Sequence, residues 1–194
     1  DPLATGVLPL CFGEATKFSQ YLLSSDKKYW VRVKLGVATD SGDADGKVVA
    51  TKNVVDVDVD KIENTLRFFR GEIDQIPPMF SAIKHKGQPL YKLARQGIEV
   101  ERQSRRGMIY SNEILGFESD QLELEIHCSK GTYVRTVVDE LGQLLGCGAH
   151  VAALRRRVAG PYDESDLITF DQLDAALADT GGLDSYLQPV SSTV

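Results

Sequence analysis

The sequence predicts an α+β fold, a mixed and mostly antiparallel central sheet flanked by helices. Three observations carry this. Residues 27–35 and 121–129 alternate apolar and polar side chains, as half-buried strands do. Residues 132–145 repeat apolar residues at three- and four-residue spacing, as an amphipathic helix does. Hairpins and helices are mixed along the chain, which suits packed layers around one core. With 194 residues, 42% of them hydrophobic, the chain can bury one sizeable core.

The elements follow in order. Asp1 precedes a proline and is biased to extended backbone, and a loop follows that can turn tightly at Thr5-Gly6. Residues 14–24 read as a helix with Ala15, Phe18 and Leu22 on one face. In the strand at 27–35, Tyr29, Val31, Val33 and Leu35 point one way, and Lys28, Trp30, Arg32 and Lys34 the other. An acidic, glycine-containing loop spans 39–46, with a short strand at 47–50. Asp58 or Asp60 caps a helix that buries Ile62, Leu66 and Phe69 and stops near Gly71. Pro77-Pro78 breaks the pattern. Residues 79–97 hold an extended piece and then a short helix, with Pro89 near its start and Gly97 at its end. Strands at 108–117 and 121–129 are joined by a turn at Glu118-Ser119-Asp120; the second puts Leu122, Leu124, Ile126 and Cys128 inward and Glu123, Glu125 and His127 outward, implying a polar sheet face. The helix at 132–145 ends at Gly146 or Gly148. A strand at about 149–158 and an acidic helix at 170–178 complete the reading.

Several function classes are excluded or disfavoured. No apolar run approaches the ~18 residues of a membrane span, and no signal peptide is visible. Cys11, Cys128 and Cys147 are an odd number without metal-like spacing, and read as thiols of a reducing compartment. The net charge of -6 argues mildly against a nucleic-acid partner, but its distribution matters more. Residues 80–106 carry seven Lys or Arg against two Glu, whereas residues 163–194 carry seven acids and no base. The acidity is segregated, so a local basic surface is available.

Some residues have a chemical reading of their own. Arg135 falls in the first turn of its helix, where the dipole favours anions, so it needs an anionic partner; Asp139 at i+4 is the plain alternative. An aspartate paired with an arginine stays ionised, and a positioned carboxylate can act as a nucleophile at a sugar anomeric carbon. Tyr29 lies on the apolar face of its strand, where a core tyrosine needs only a hydrogen-bond partner. Asp43, Asp45 and Gly46 mimic part of a calcium loop, but Ser41 and Lys52 stand where it needs ligands, so that pattern fails.

The chain opens Asp1-Pro2-Leu3-Ala4-Thr5-Gly6, and Gly131-Thr132-Tyr133-Val134-Arg135 lies far downstream. Gly13-Glu14-Ala15-Thr16-Lys17, the loop 39–46, Gln75-Ile76-Pro77-Pro78, His127-Cys128-Ser129-Lys130 and residues 145–150 stand between and after them. In this order the blocks resemble the TruB family of tRNA pseudouridine synthases. The resemblance implies a pseudouridine synthase fold that uses no cofactor and no metal, works in the cytoplasm as a monomer, and converts uridine to pseudouridine in the T-loop of tRNA after flipping the base out. It assigns Asp1 as nucleophile, Arg135 as its ionic partner, Asp43 as support for that pair, and Tyr29 as the aromatic that stacks on the uracil and is assigned removal of the C5 proton. It places Tyr133 and Leu154 along the same pocket, although for Leu154 plain core packing is the strong reading without the resemblance.

The same resemblance makes residues 77–104 an inserted thumb that closes on the RNA stem-loop. Lys84, Lys86, Tyr91 and Arg95 are its candidate RNA contacts, and Arg155 in the run Arg155-Arg156-Arg157 is a further phosphate contact; charge runs of this kind are also found as plain solvated faces. His150 reads as structural. Family members carry a segment ahead of the aspartate, so the chain is expected to be an N-terminally truncated catalytic domain, without a complete C-terminal RNA-binding domain. Two alternatives stand beside this reading. One is an RNA-binding helper of tRNA folding without catalysis; the other is a guide-RNA-dependent enzyme of the dyskerin type, whose chains lack most of the thumb.

Overall fold

The computed structural model describes residues 2–178 and 183–189. Along the chain run β1 (Ala4–Gly6), α1 (Ser19–Ser24), β2 (Lys27–Leu35), β3 (Val37–Thr39), β4 (Val48–Thr51), α2 (Val59–Leu66) and β5 (Gly71–Gln75). Then come β6 (Lys84–His85), β7 (Gln88–Pro89), α3 (Leu90–Ala94), β8 (Arg105–Glu118), β9 (Gln121–Cys128), α4 (Val134–Leu145), β10 (Ala149–Ala159), β11 (Tyr162–Asp163) and α5 (Phe170–Ala178). Among the described residues the main sheet has the order β1-β10-β2-β9-β8-β5, with β11 on the far end of β10. β1 runs parallel to β10 and the other pairs are antiparallel. The architecture is the expected α+β layer with a mostly antiparallel sheet.

Alternation decides which face is buried. Val31 of β2 sits between Leu124 and Leu154, Val33 between Leu122 and Val151, and Leu35 opposite Ala149, and all are buried. Onto this face α4 lays Val134, Val137, Val138, Leu141 and Leu145, and α2 lays Ile62 and Leu66. Helix and sheet come closest at Gly142: a methyl group built there would lie 2.2 Å from the Ala149 backbone nitrogen. The left-handed Gly146 (φ 83°) then ends α4 and turns the chain into β10. Asp58 caps α2 by accepting from the Lys61 backbone N–H at 2.8 Å.

The opposite face of the sheet is a lattice of charges. Arg32 meets Glu123 (2.9 Å), and Lys28 and Arg157 meet Glu125 (3.2 and 3.0 Å). Glu164 takes Arg155 and Arg157 at 2.5 and 2.9 Å. Exposed pairs of this kind contribute little individually, about 0–1 kcal/mol, but together they keep the face polar.

Several expectations need correction. The helix at 14–24 is half 3-10 turn (Gly13–Phe18) and only then α1, and Leu22 is the residue it buries. β1, β3 and β5 are strands where the sequence showed loop or nothing. β8 starts three residues earlier than the pattern at 108, so Arg105 and Arg106 pair with Gln75 and Asp74 of β5. Residues 76–104 run between β5 and β8, and within them the β6–β7 hairpin and α3 project from the sheet.

Candidate active site

A cleft of about 1100 Å³ lies on the core-facing side of the sheet, where β1, β10 and β2 meet the start of α4. Pro2, Tyr29, Asp43, Tyr133, Arg135 and Leu154 all contribute to its wall. Arg135 is the second residue of α4 and reaches across it. Its Nη1 donates to Asp43 Oδ2 at 3.1 Å and to the Ser41 carbonyl at 3.2 Å, and Nη2 donates to the Phe80 carbonyl at 2.8 Å. The ion pair is buried, with side chains 11% and 6% exposed for Arg135 and Asp43. Asp139, the i+4 alternative, instead accepts from Gln143 Nε2 at 2.7 Å.

Asp43 is held as firmly as its partner. Ser41 Oγ and the Asp45 backbone N–H both donate to its Oδ1, at 2.5 and 3.1 Å. The loop around it is stitched to β10: Ala44 N–H donates to the Val151 carbonyl at 2.9 Å, and Val151 N–H to the Gly42 carbonyl at 3.0 Å. These donors and the guanidinium satisfy both oxygens of the buried carboxylate.

Tyr29 stands opposite Arg156 on β10 and Ile126 on β9. Burial pushes its phenol above the ordinary range, with the positive Arg156 opposing the shift, so the ring is neutral at physiological pH. Leu154 is two residues from Arg156 and shares its face. Tyr133 precedes α4, and its backbone is gripped by one side chain: Gln75 Oε1 accepts from Tyr133 N–H at 3.0 Å and Gln75 Nε2 donates to the Tyr133 carbonyl at 3.3 Å. Cys128 is buried and its thiol is pushed up to about 12, mainly by desolvation, which makes it inert.

Of the RNA-contact candidates, Tyr91 of α3 and Arg95 at its C-cap line the cleft, with the guanidinium 5.4 Å from the ring centroid. Lys84 and Lys86 are exposed on the β6–β7 hairpin, outside the cleft wall. Arg155 is on the other face of β10, bound to Glu164, and the member of that arginine run that lines the cleft is Arg156. Alternation could have shown this, since Arg156 shares a face with Leu154 and Arg155 does not. Gln75, buried at the end of β5, stood in one of the blocks that carry the resemblance, but its grip on Tyr133 was not read, because that rests on the register of an unrecognised strand. Asp1 lies outside the described residues. Among the described residues no cluster of three or more His, Cys, Asp or Glu could hold a metal ion, and no helix is long and apolar enough to cross a membrane.

Comparison with known proteins points to one family. The sequence model of the TruB family pseudouridylate synthase N-terminal domain matches residues 1–134, and that of the tRNA pseudouridylate synthase B C-terminal domain matches residues 135–194. The chain is 58% identical to tRNA pseudouridine synthase B of Ectopseudomonas mendocina (strain ymp), an alignment covering 99% of this chain and 63% of that protein. It is 56% identical to the protein of that name from Vibrio campbellii (strain ATCC BAA-1116), over 91% of this chain and 56% of the relative. The chain thus spans less than two thirds of the length of these curated relatives. Among solved structures, the crystal structure of a Cbf5-Nop10-Gar1 complex matches with a TM-score of 0.76 and 30% identity, covering the whole of this chain and 50% of the other. The structure of an H/ACA RNP bound to a substrate RNA containing 2'-deoxyuridine matches with a TM-score of 0.71 and 26% identity.

Proposed function

The chain belongs to the TruB family of pseudouridylate synthases, and from that premise we propose that it is the catalytic part of an enzyme that isomerises uridine to pseudouridine in the T-loop of tRNA. The observation that carries the reading is the buried Arg135–Asp43 pair in one cleft with Tyr29 and Leu154, whose wall also includes Pro2, the residue bonded to Asp1.

In this reading the uridine leaves its stack, at a cost of a few kcal/mol, and enters the cleft. Tyr29 stacks on the uracil, and Leu154, beside it on the same sheet face, adds an apolar contact. The Asp1 carboxylate, kept ionised by Arg135, attacks the ribose C1′ and the C1′–N1 bond breaks. The uracil anion turns, its C5 attacks C1′, and the carboxylate is released. Loss of the C5 proton and protonation of N1 restore the aromatic base; nothing is consumed, and no redox step is involved. Asp43 holds the guanidinium in the cleft wall, where in this reading it pairs with the nucleophile. Tyr91, Arg95 and the exposed Lys84 and Lys86 supply a basic arm for the RNA backbone, the role expected for the segment 77–104. The tRNA T-arm is the proposed partner, and the cytoplasm the proposed compartment.

A guide-RNA-dependent enzyme is the second reading, since Cbf5 structures share the fold. The much higher identity to stand-alone tRNA pseudouridine synthases, together with the projecting segment, supports the first.

Release of tritium from a T-arm stem-loop labelled at uridine C5 tests the assignment. The protein carrying this chain is expected to release it, and Asp1→Asn is expected to bind the RNA but release none. Unchanged release by the variant would remove Asp1 from its role; binding without release by the unsubstituted protein would favour a folding helper.

A further inference from the structure

Ser81 sits where the projecting segment leaves the cleft wall. Its backbone is fixed from three directions. Arg135 Nη2 donates to the carbonyl of the preceding Phe80 at 2.8 Å, Tyr91 N–H donates to the Ser81 carbonyl at 3.0 Å, and Ser81 N–H donates to the Met79 carbonyl at 2.9 Å. The residue is only 5% exposed, and it belongs to the wall that also holds Tyr29, Asp43 and Leu154. Yet its hydroxyl is buried without a hydrogen-bond partner among the described residues.

This is an unusual state for a side chain. Buried polar atoms almost always have partners, and one left unpaired destabilises the fold. Alanine would avoid that cost in the same space. A serine hydroxyl can both donate and accept, and a single χ1 rotation takes it from its buried position to a polar atom in the cleft that the residue lines. The wall it occupies is the one against which the functional reading places the extruded uridine, and uridine offers several oxygens on its base and ribose. We propose that Ser81 is a substrate-contacting residue whose hydroxyl donates a hydrogen bond to an oxygen of the uridine held in the cleft. The inference rests on the functional reading above. It adds a consequence for the arm: because Ser81 and Phe80 are adjacent, the substrate and the Arg135 guanidinium grip the same turn of chain, so a filled cleft secures the base of the arm.

Ser81→Ala in the protein carrying this chain tests it, with two readouts: kcat/KM for tritium release from the T-arm stem-loop, and Tm without RNA. The expected result is a fall in kcat/KM of about tenfold, with Tm unchanged or raised because the unpaired hydroxyl is gone. A kcat/KM within twofold of the unsubstituted protein overturns the proposal while leaving the functional reading intact. A Tm lowered by several degrees also overturns it, since the hydroxyl would then have a structural partner. If the unsubstituted protein releases no tritium, the functional reading fails, and the Ser81 assignment falls with it.

Discussion

At the scale of single residues, the site is organised by one buried charge pair. Arg135 and Asp43 are both nearly inaccessible, and each has hydrogen-bond partners besides the other. Removing one partner of such a pair leaves the other charge buried and unpaired, which costs far more than the pair itself contributes. Asp43→Ala is therefore expected to destabilise the fold by about 3–5 kcal/mol in urea unfolding, and Asp43→Asn by less, since the amide oxygen can still accept from Ser41 and Asp45. A loss below about 1 kcal/mol for Asp43→Ala would mean that the pair behaves as an exposed one. Part of this was legible in the sequence: a cation in the first turn of a helix calls for an anion. Periodicity did not show which carboxylate supplies it, because Asp43 is 92 positions away in sequence and is brought near by the stitching of its loop to β10; Asp43 entered through the family resemblance alone, as support for the pair with Asp1. The Ser81 hydroxyl and the contacts of the Gln75 amide were illegible for a related reason. Gln75 stood in a recognised motif and Ser81 in none, but what either side chain does depends on what stands opposite in space.

At the scale of elements, α4 against β10 determines where Arg135 points. Their approach at Gly142 leaves no space for a side chain, and the nearest atoms are backbone, which cannot step aside as a flexible side chain could. Gly142→Ala is expected to cost about 1–3 kcal/mol and to lower kcat more than it raises KM, because tilting α4 shifts the guanidinium. Unchanged thermal stability would show that the helix can move away freely. The elements themselves were read unevenly. β2, β9, β10 and α4 have long, regular patterns and were visible from periodicity alone. β1 and β5 were not: the first is three residues of Ala-Thr-Gly, and the second is an edge strand with Gly71, Ile73 and Gln75 on one side. Short, polar strands earn their conformation from partners elsewhere in the chain, as the sheet's edges do here.

At the scale of the whole molecule, charge is sorted by region. The arm at 80–106 is basic although the chain is acidic, and the acidic residue Glu164 is used internally, on Arg155 and Arg157. RNA affinity is thus expected to fall steeply with salt. Replacing both Lys84 and Lys86 by Ala should reduce the slope of log K against log[salt] by about 1–2 and weaken binding to all RNA sequences alike. An unaltered slope would take the hairpin off the RNA. The two family-model matches divide at residue 134/135, yet β10 from the second lies between β1 and β2 from the first, so both form one sheet. That interleaving has a temporal side. Thr5 finds its place only beside Arg155, 150 residues later, and a ribosome adding about 5–20 residues per second needs roughly 8–30 s to synthesise that interval. Through that time a nascent chain lacks the β1–β10 pairing, and with it one wall of the cleft.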